Sequence, residues 1–258
     1  MLDKKIDFII CGVQKSATEL LSYHLQKHPK IFIPKQEIHF FDKLNLKRKI
    51  KIFFNDYSSY HKHFNFNSNK TIYGEKTPIY IFYKDCIRQI YKYNKNIKIV
   101  LIFRDPLQRA FSHYNMNVKK FEEKLTFEDA IFSENCRINK NDYGLRTYSY
   151  IERGKYFTQI SNVTNYFKMD NIFIASYDSL IENFEETIKN IINFLGIKKH
   201  VVFFKKDRIT WKKPTNHKKM ILSKNAKNFI KEKLEIEYYN FKKLTNISFK
   251  SFEKFLSI

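Results

Sequence analysis

Two apolar runs, each breaking into a short polar turn and then a helix-like pattern, constrain this chain more than anything else in it. The first is Ile6-Asp-Phe-Ile-Ile-Cys-Gly-Val-Gln-Lys-Ser-Ala-Thr18; the second is Ile99-Val-Leu-Ile-Phe-Arg-Asp-Pro-Leu-Gln-Arg-Ala-Phe-Ser112. Short, nearly continuous apolar runs read as strands buried on both faces, and such strands belong to parallel sheets covered by helices. Ile172–Ala175 is a third run of this kind, and Ile31–Pro34 is a brief extended piece. Between them lie helical patterns. Leu20, Leu21, His24 and Leu25 share a face, and a helix from about Pro78 to Tyr93 has Ile87, Ile90 and Tyr91 available for packing. Asp105-Pro106 supplies an N-cap and a first-turn proline for a helix to about Lys119. Phe157, Ile160, Val163 and Phe167 repeat at helical spacing. So do Phe184, Ile188, Ile191, Ile192 and Leu195, up to a stop at Gly196. Tyr73–Pro78 reads as a turn, 126–151 as mainly helical, and the tail from Val201 as a strand-like Val-Val-Phe-Phe, a basic loop and one or two helices after Ile221. The expectation is one α/β domain over 1–258, with a central, mainly parallel sheet flanked by helices.

Composition narrows the function classes. With 258 residues, 43% hydrophobic and 17% aromatic, the chain can bury a substantial core and is not a disordered polymer. Its formal charge of +22 invites a nucleic-acid reading. The excess is spread along the chain, with concentrations at Lys47–Lys51 and Lys205–Lys219, and no zinc-finger, basic-zipper or RNA-recognition pattern accompanies it. An anionic cofactor, an acidic glycan or peripheral contact with an anionic membrane surface fits equally well. Cys11, Cys86 and Cys136 lack metal-like spacing and read as buried free thiols in a reducing compartment. No signal peptide precedes the first strand and no apolar run reaches spanning length, so a soluble, cytoplasmic chain is expected.

The turns carry the chemistry. A strand followed by Gly12, Lys15 and a helix starting at Thr18 presents backbone N–H groups and a helix amino end to an anion. It is not a Walker A loop: Gln14 precedes Lys15 where that motif has glycine, and Ile10 stands where it has an earlier glycine. In the second turn Arg104 leaves the strand, and Arg109 and Ser112 lie one helical turn apart, a donor set suited to a phosphate monoester. Glu37-Ile-His-Phe-Phe-Asp42 embeds three polar residues in an apolar stretch.

At these residues the sequence resembles the sulfotransferases that use 3′-phosphoadenosine 5′-phosphosulfate (PAPS), above all the heparan sulfate glucosaminyl group. That resemblance implies a P-loop-like α/β fold. In it, a Lys-Gly-Gly-Thr turn like Lys15-Ser16-Ala17-Thr18 holds the 5′-phosphosulfate beside Gly12. An Arg-x-Pro-x-x-Arg-x-x-Ser run like Arg104–Ser112 holds the 3′-phosphate through Arg104 and Ser112. Glu37-Ile-His-Phe-Phe-Asp42 is similar to the family's Glu-Val-His-Phe-Phe-Asp, whose Glu is the catalytic base. Glu75-Lys-Thr-Pro78 is similar to a segment whose Lys lines the active site. The late adenosine-binding loop is echoed by Lys212-Lys213-Pro-Thr-Asn-His-Lys218, which brings in Lys212 and Lys213. Ser16-Ala17 stands in place of Gly-Gly, and Glu19 stands where the heparan enzymes often carry a basic residue.

The implied reaction is an in-line sulfuryl transfer, needing no metal, from PAPS to a hydroxyl, or less readily an amine, of a carbohydrate or glycoconjugate, such as a bacterial surface polysaccharide. It leaves 3′,5′-adenosine bisphosphate (PAP). Lys15 and the loop amides stabilise the leaving phosphate, and Glu37, held among Ile38, Phe40 and Phe41, takes the acceptor proton. His39 orients the acceptor or shares the proton, and Lys76 balances charge. Two other readings stay open at this point: a P-loop-type kinase for a small molecule, and a basic protein binding nucleic acid or anionic surfaces.

Overall fold

The computed structural model describes residues 4–42, 56–66, 68–197 and 220–257. The basic stretch Lys47–Lys51, the Val201 segment, and Lys212 and Lys213 lie outside the described residues. The chain divides into two compact units, residues 1–103 with 162–211, and residues 104–161 with 212–258.

The first unit holds the sheet. Its strands are β1 (Phe8–Gly12), β2 (Ile31–Phe32), β3 (Ile72–Lys76), β4 (Lys98–Phe103) and β5 (Ile172–Ser176). They lie in the order β2-β3-β1-β4-β5, and every pairing is parallel. Successive side chains of a strand point to opposite faces. Phe8, Ile10, Val100 and Ile102 therefore share one face, packed in a single cluster with Leu20, Leu21 and Leu25 of α1 (Thr18–Gln26). Leu180 of a short helix (Tyr177–Glu182) and Phe184, Ile188, Ile191 and Ile192 of a second (Phe184–Phe194) complete that cluster. The alternate residues Ile9, Cys11, Ile99, Leu101 and Phe103 are just as buried. With both faces covered, no position in β1 or in β4 beyond its first residue is free to be polar, which is the property that made these strands readable.

β3 is a correction. The sequence reads Tyr73–Pro78 as a turn, yet Ile72–Lys76 is a strand next to the centre of the sheet, with Phe8 opposite Gly74, Ile9 opposite Glu75 and Ile10 opposite Lys76. Its composition hides it for two reasons. A side chain at Gly74 would meet the Phe8 ring at 2.3 Å, so the position must be glycine. Glu75 and Lys76 are polar and each meets a polar partner there, Tyr60 and Thr77 for the first and Glu19 for the second. The helix expected from Pro78 begins only at Lys84, as α3 (Lys84–Tyr93), after a 3-10 turn at Tyr80–Phe82 and an extended Tyr83. A four-residue helix, α2 (Ser58–His61), sits in the basic, aromatic stretch after residue 55.

The second unit is helical. Its α4 (Pro106–Lys119) opens on Asp105, whose carboxylate accepts from the N–H of Leu107 and of Gln108, both at 2.9 Å. Residues 127–148 form three short helices, α5 (Phe127–Phe132), α6 (Glu134–Lys140) and α7 (Asp142–Tyr148). They are tied by a buried network in which Glu123 accepts from Arg137 at 2.7 Å and from the Tyr150 hydroxyl at 2.8 Å. A long helix, Lys224–Thr245, buries Ala226, Ile230, Leu234, Tyr238 and Phe241, and the final helix, Lys250–Leu256, lays Phe252 against Tyr238. Cys11 and Cys86 are buried free thiols as expected, whereas Cys136 is an exposed one on α6. Among the described residues no helix is long and apolar enough to cross a membrane.

Candidate active site

β1 ends at Gly12, where an added side chain would strike Ile81 at 2.5 Å, and the chain turns through Val13–Ala17 into α1. Ala17 is the N-cap with φ 58°, in the left-handed region, and makes no side-chain capping hydrogen bond. A non-glycine residue there costs on the order of 1 kcal/mol. Ser16-Ala17, standing in place of Gly-Gly, thus meets a left-handed turn with a residue that carries a side chain. The uncapped amino end of α1 keeps its orphan N–H groups and partial positive charge for an anion. Ser16 is fully buried, and its Oγ has no hydrogen-bond partner among the described residues, although buried hydroxyls are ordinarily satisfied. An uncapped helix start and an orphaned hydroxyl beside the half-buried Lys15 fit the phosphosulfate end of PAPS.

Three further expected residues come together in the same unit. Lys76 leaves β3 with only 3% of its side chain exposed, forms an ion pair with Glu19 in the first turn of α1, and lies 3.9 Å from Glu37 Oε1. His39 bridges two carboxylates, with Nε2 at 3.2 Å from Glu37 Oε2 and Nδ1 at 2.8 Å from Asp42 Oδ2. Asp42 is buried, so it fixes the ring, while Glu37 and His39 are partly open to solvent. The result is a continuous chain, Asp42–His39–Glu37–Lys76–Glu19, that joins the 37–42 turn, β3 and α1. Burial of Glu37 among Ile38, Phe40 and Phe41 is not what forms: its side chain is 34% exposed. Because Ile38 and Phe41 turn into the core, what holds the carboxylate is polar, His39 on one oxygen and Lys76 near the other.

Behind this chain stands Glu75, which sequence reasoning did not single out beyond its motif. It is completely buried and accepts from the Tyr60 hydroxyl at 2.6 Å and from Thr77 Oγ1 at 3.0 Å. Burial pushes its carboxyl up from 4.5 to about 7, against those two hydrogen bonds, which pull it down. Tyr60 in turn packs against Phe40 and Phe41 at ring separations of 4.8 and 5.1 Å, and the Tyr80 hydroxyl accepts from the Phe40 N–H at 2.8 Å. The 37–42 turn is thus braced on aromatic rings whose polar ends lead back to β3. Burial also lifts the Cys11 thiol well above its usual value, so it offers no thiolate.

The second turn belongs to the helical unit. Asp105 already occupies the amino end of α4, so an anion here must be held by side chains. Arg104 and Ser112 are partly exposed, and Tyr156 donates its hydroxyl to the Arg104 carbonyl at 2.8 Å. Arg109 does something else: it is fully buried and donates to the Tyr150 carbonyl. The expected convergence of Arg104, Arg109 and Ser112 is therefore corrected, because Arg109 is turned inward. Tyr156 was missed, since a lone Tyr two residues after Gly154 gives no periodic signal.

A model of the sulfotransferase domain matches residues 5–251, across both units. The chain belongs to the sulfotransferase domain family. Among curated relatives, this sulfotransferase-family chain is 30% identical over 195 residues to heparan sulfate glucosamine 3-O-sulfotransferase 5 of Mus musculus, covering 73% of this chain and 53% of that one. It is 32% identical over 145 residues to the membrane-associated sulfotransferase kil1 of Dictyostelium discoideum, covering 50% and 29%. It therefore spans about half, or less, of the length of these relatives. A solved sulfotransferase from Alicyclobacillus acidocaldarius superposes with a TM-score of 0.77 at 19% identity, over 97% of this chain and 99% of the other, which shows the shared fold.

Proposed function

We propose that this chain transfers a sulfuryl group from PAPS to a hydroxyl of a carbohydrate or glycoconjugate. The observation that carries the reading is the connected chain Asp42–His39–Glu37–Lys76, tied through Glu19 to the helix that starts at the Lys15 turn. PAPS supplies the sulfuryl group on a phosphate leaving group. Lys15, the Ser16 hydroxyl, Thr18 and the α1 amides bind that phosphate and take up the charge that builds on it. Arg104 and Ser112 bind the 3′-phosphate. Glu37 removes the acceptor proton, His39 keeps the carboxylate oriented while Asp42 holds the ring, and Lys76 balances the sulfuryl charge. Names of relatives that act on heparan sulfate glucosamine support a sugar hydroxyl as acceptor. A cytoplasmic location belongs to this proposal, supported by free thiols at all three cysteines.

The kinase and nucleic-acid readings make different predictions. In a thermal-shift comparison, PAP should raise the unfolding midpoint, worth about 2.7 kcal/mol at a hundredfold excess over its Kd. ATP with Mg²⁺ and a DNA duplex should not. Stabilisation by either of those without PAP would overturn the proposal.

A further inference from the structure

Lys76 is a single ammonium shared by two carboxylates. Glu19 forms the direct ion pair and Glu37 Oε1 lies at 3.9 Å. Around His39, Glu37 and Asp42 add a second pair of acids on one ring. The cluster therefore holds Glu19, Glu37 and Asp42 against Lys76 and His39, a net charge of −1 with His39 protonated and −2 with it neutral. The distribution matters as much as the sum. Asp42 and Lys76 are buried, whereas the Glu19 side chain is 76% exposed. Within this cluster the charge most open to solvent is thus a carboxylate, and Lys76, which could have anchored an acidic acceptor, is already paired with it.

We infer that Glu19 is a specificity-determining residue, selecting acceptors with no carboxylate or sulfate beside the reacting hydroxyl and favouring amino sugars over uronate-containing ones. This rests on the sulfuryl-transfer reading. An acceptor anion about 5 Å from Glu19 meets a repulsion equivalent to roughly a few hundredfold in affinity at the effective dielectric of a protein surface, falling below about tenfold where bulk water screens it fully, and an ammonium there gains by the same physics. Glu19 in the first turn of α1 also suits the helix dipole. That purely structural role would change stability and leave acceptor choice alone, so the two are separable.

The test uses the whole protein saturated with PAP at physiological salt, with sugar binding followed by calorimetry. The probes are a fully deacetylated chitosan hexasaccharide and an unsulfated heparosan hexasaccharide. Wild type should bind the amino sugar at least tenfold more tightly than the uronate sugar. Glu19→Lys should shrink or invert that ratio by at least tenfold, Glu19→Gln should fall between, and PAP affinity should not fall in either variant. Equal binding of the two sugars by wild type, binding of neither, or an unchanged ratio in Glu19→Lys overturns the inference. Failure of wild type to bind PAP overturns the donor reading instead.

Discussion

Glu75 makes the sharpest prediction, because its environment converts directly into a pH dependence. The side chain has no solvent exposure, and burial raises its carboxyl from 4.5 to about 7. The folded protein therefore holds this proton more tightly than the unfolded chain does, so the unfolded state binds fewer protons across that window and stability must fall as pH rises. The contribution is fully present below pH 4.5 and lost once the pH passes about 7. At about 1.36 kcal/mol per pH unit, the rise amounts to about 3 kcal/mol. Glu75→Gln keeps the shape and an oxygen for Tyr60 or Thr77 but cannot ionise. Urea unfolding at intervals from pH 4.5 to 8.5 should show the variant gaining on wild type by about 3 kcal/mol across the series, whatever constant offset its amide introduces. Glu134, raised to about 7 by its own burial, contributes the same slope to both proteins and cancels in the difference. A difference between the two proteins that stays flat with pH would show that Glu75 ionises normally and that its surroundings are wetter or more accommodating than their burial indicates.

The remaining predictions are quickly stated. Lys15→Ala should cost on the order of 2–4 kcal/mol of transition-state stabilisation, read as kcat/KM for sulfuryl transfer, by comparison with lost oxyanion donors. Glu37→Gln should lower turnover by roughly 10²–10⁴ with PAP affinity retained, and a variant running at the wild-type rate would remove Glu37 from the mechanism. Ala17→Gly should stabilise the fold by about 0.5 kcal/mol or more in urea melts, since relief of the left-handed conformation at φ 58° outweighs the added freedom of the unfolded chain. A destabilised Ala17→Gly protein would mean that the turn does not hold that conformation in solution.

What could be read from sequence follows from what each residue answers to. β1 and β4 were legible because two covered faces force an unbroken apolar run, β5 because Ile172–Ala175 stays apolar although this edge strand is mostly half-buried, and α4 because Asp105 and Pro106 are local signals of a helix start. β3 was not legible: three of its five residues are glycine or charged, for reasons set by Phe8 and by the site rather than by the strand itself. Glu37, His39 and Lys76 were picked out through motifs, but the partners the structure gives them were not. Asp42 ended a quoted motif without a task, Glu19 was noted only as a departure, and Glu75 and Tyr60 meet across fifteen positions of sequence through a hydrogen bond no local pattern encodes. Arg109 shows the opposite failure, since its spacing from Ser112 suggested a shared ligand while its burial assigns it to the Tyr150 carbonyl.

The site's dependence on register gives the last prediction. Lys76 reaches Glu19 and Glu37 because β3 pairs with β1 so that Ile10 lies opposite Lys76 and Phe8 opposite Gly74. A slip of one residue would turn Lys76 to the other face of the sheet and bring a bulky neighbour under the Phe8 ring. The absent side chain at Gly74 is thus what admits Phe8 in this register. In Gly74→Ala the new methyl group would meet ring carbons at 2.3, 2.4 and 2.6 Å, closer than side-chain contacts allow, so ring or strand must move. The expected cost is about 1–3 kcal/mol of stability, the range for overpacking a filled core, with a further loss of turnover because Lys76 moves with the strand. Phe8→Leu should lose stability alone by opening a void, yet restore part of what Gly74→Ala loses when the two are combined, giving a favourable coupling of about 1 kcal/mol in a double-mutant cycle. If the two losses simply add, the ring and the glycine do not compete for the same space, and something other than their contact fixes Lys76 beside Glu37.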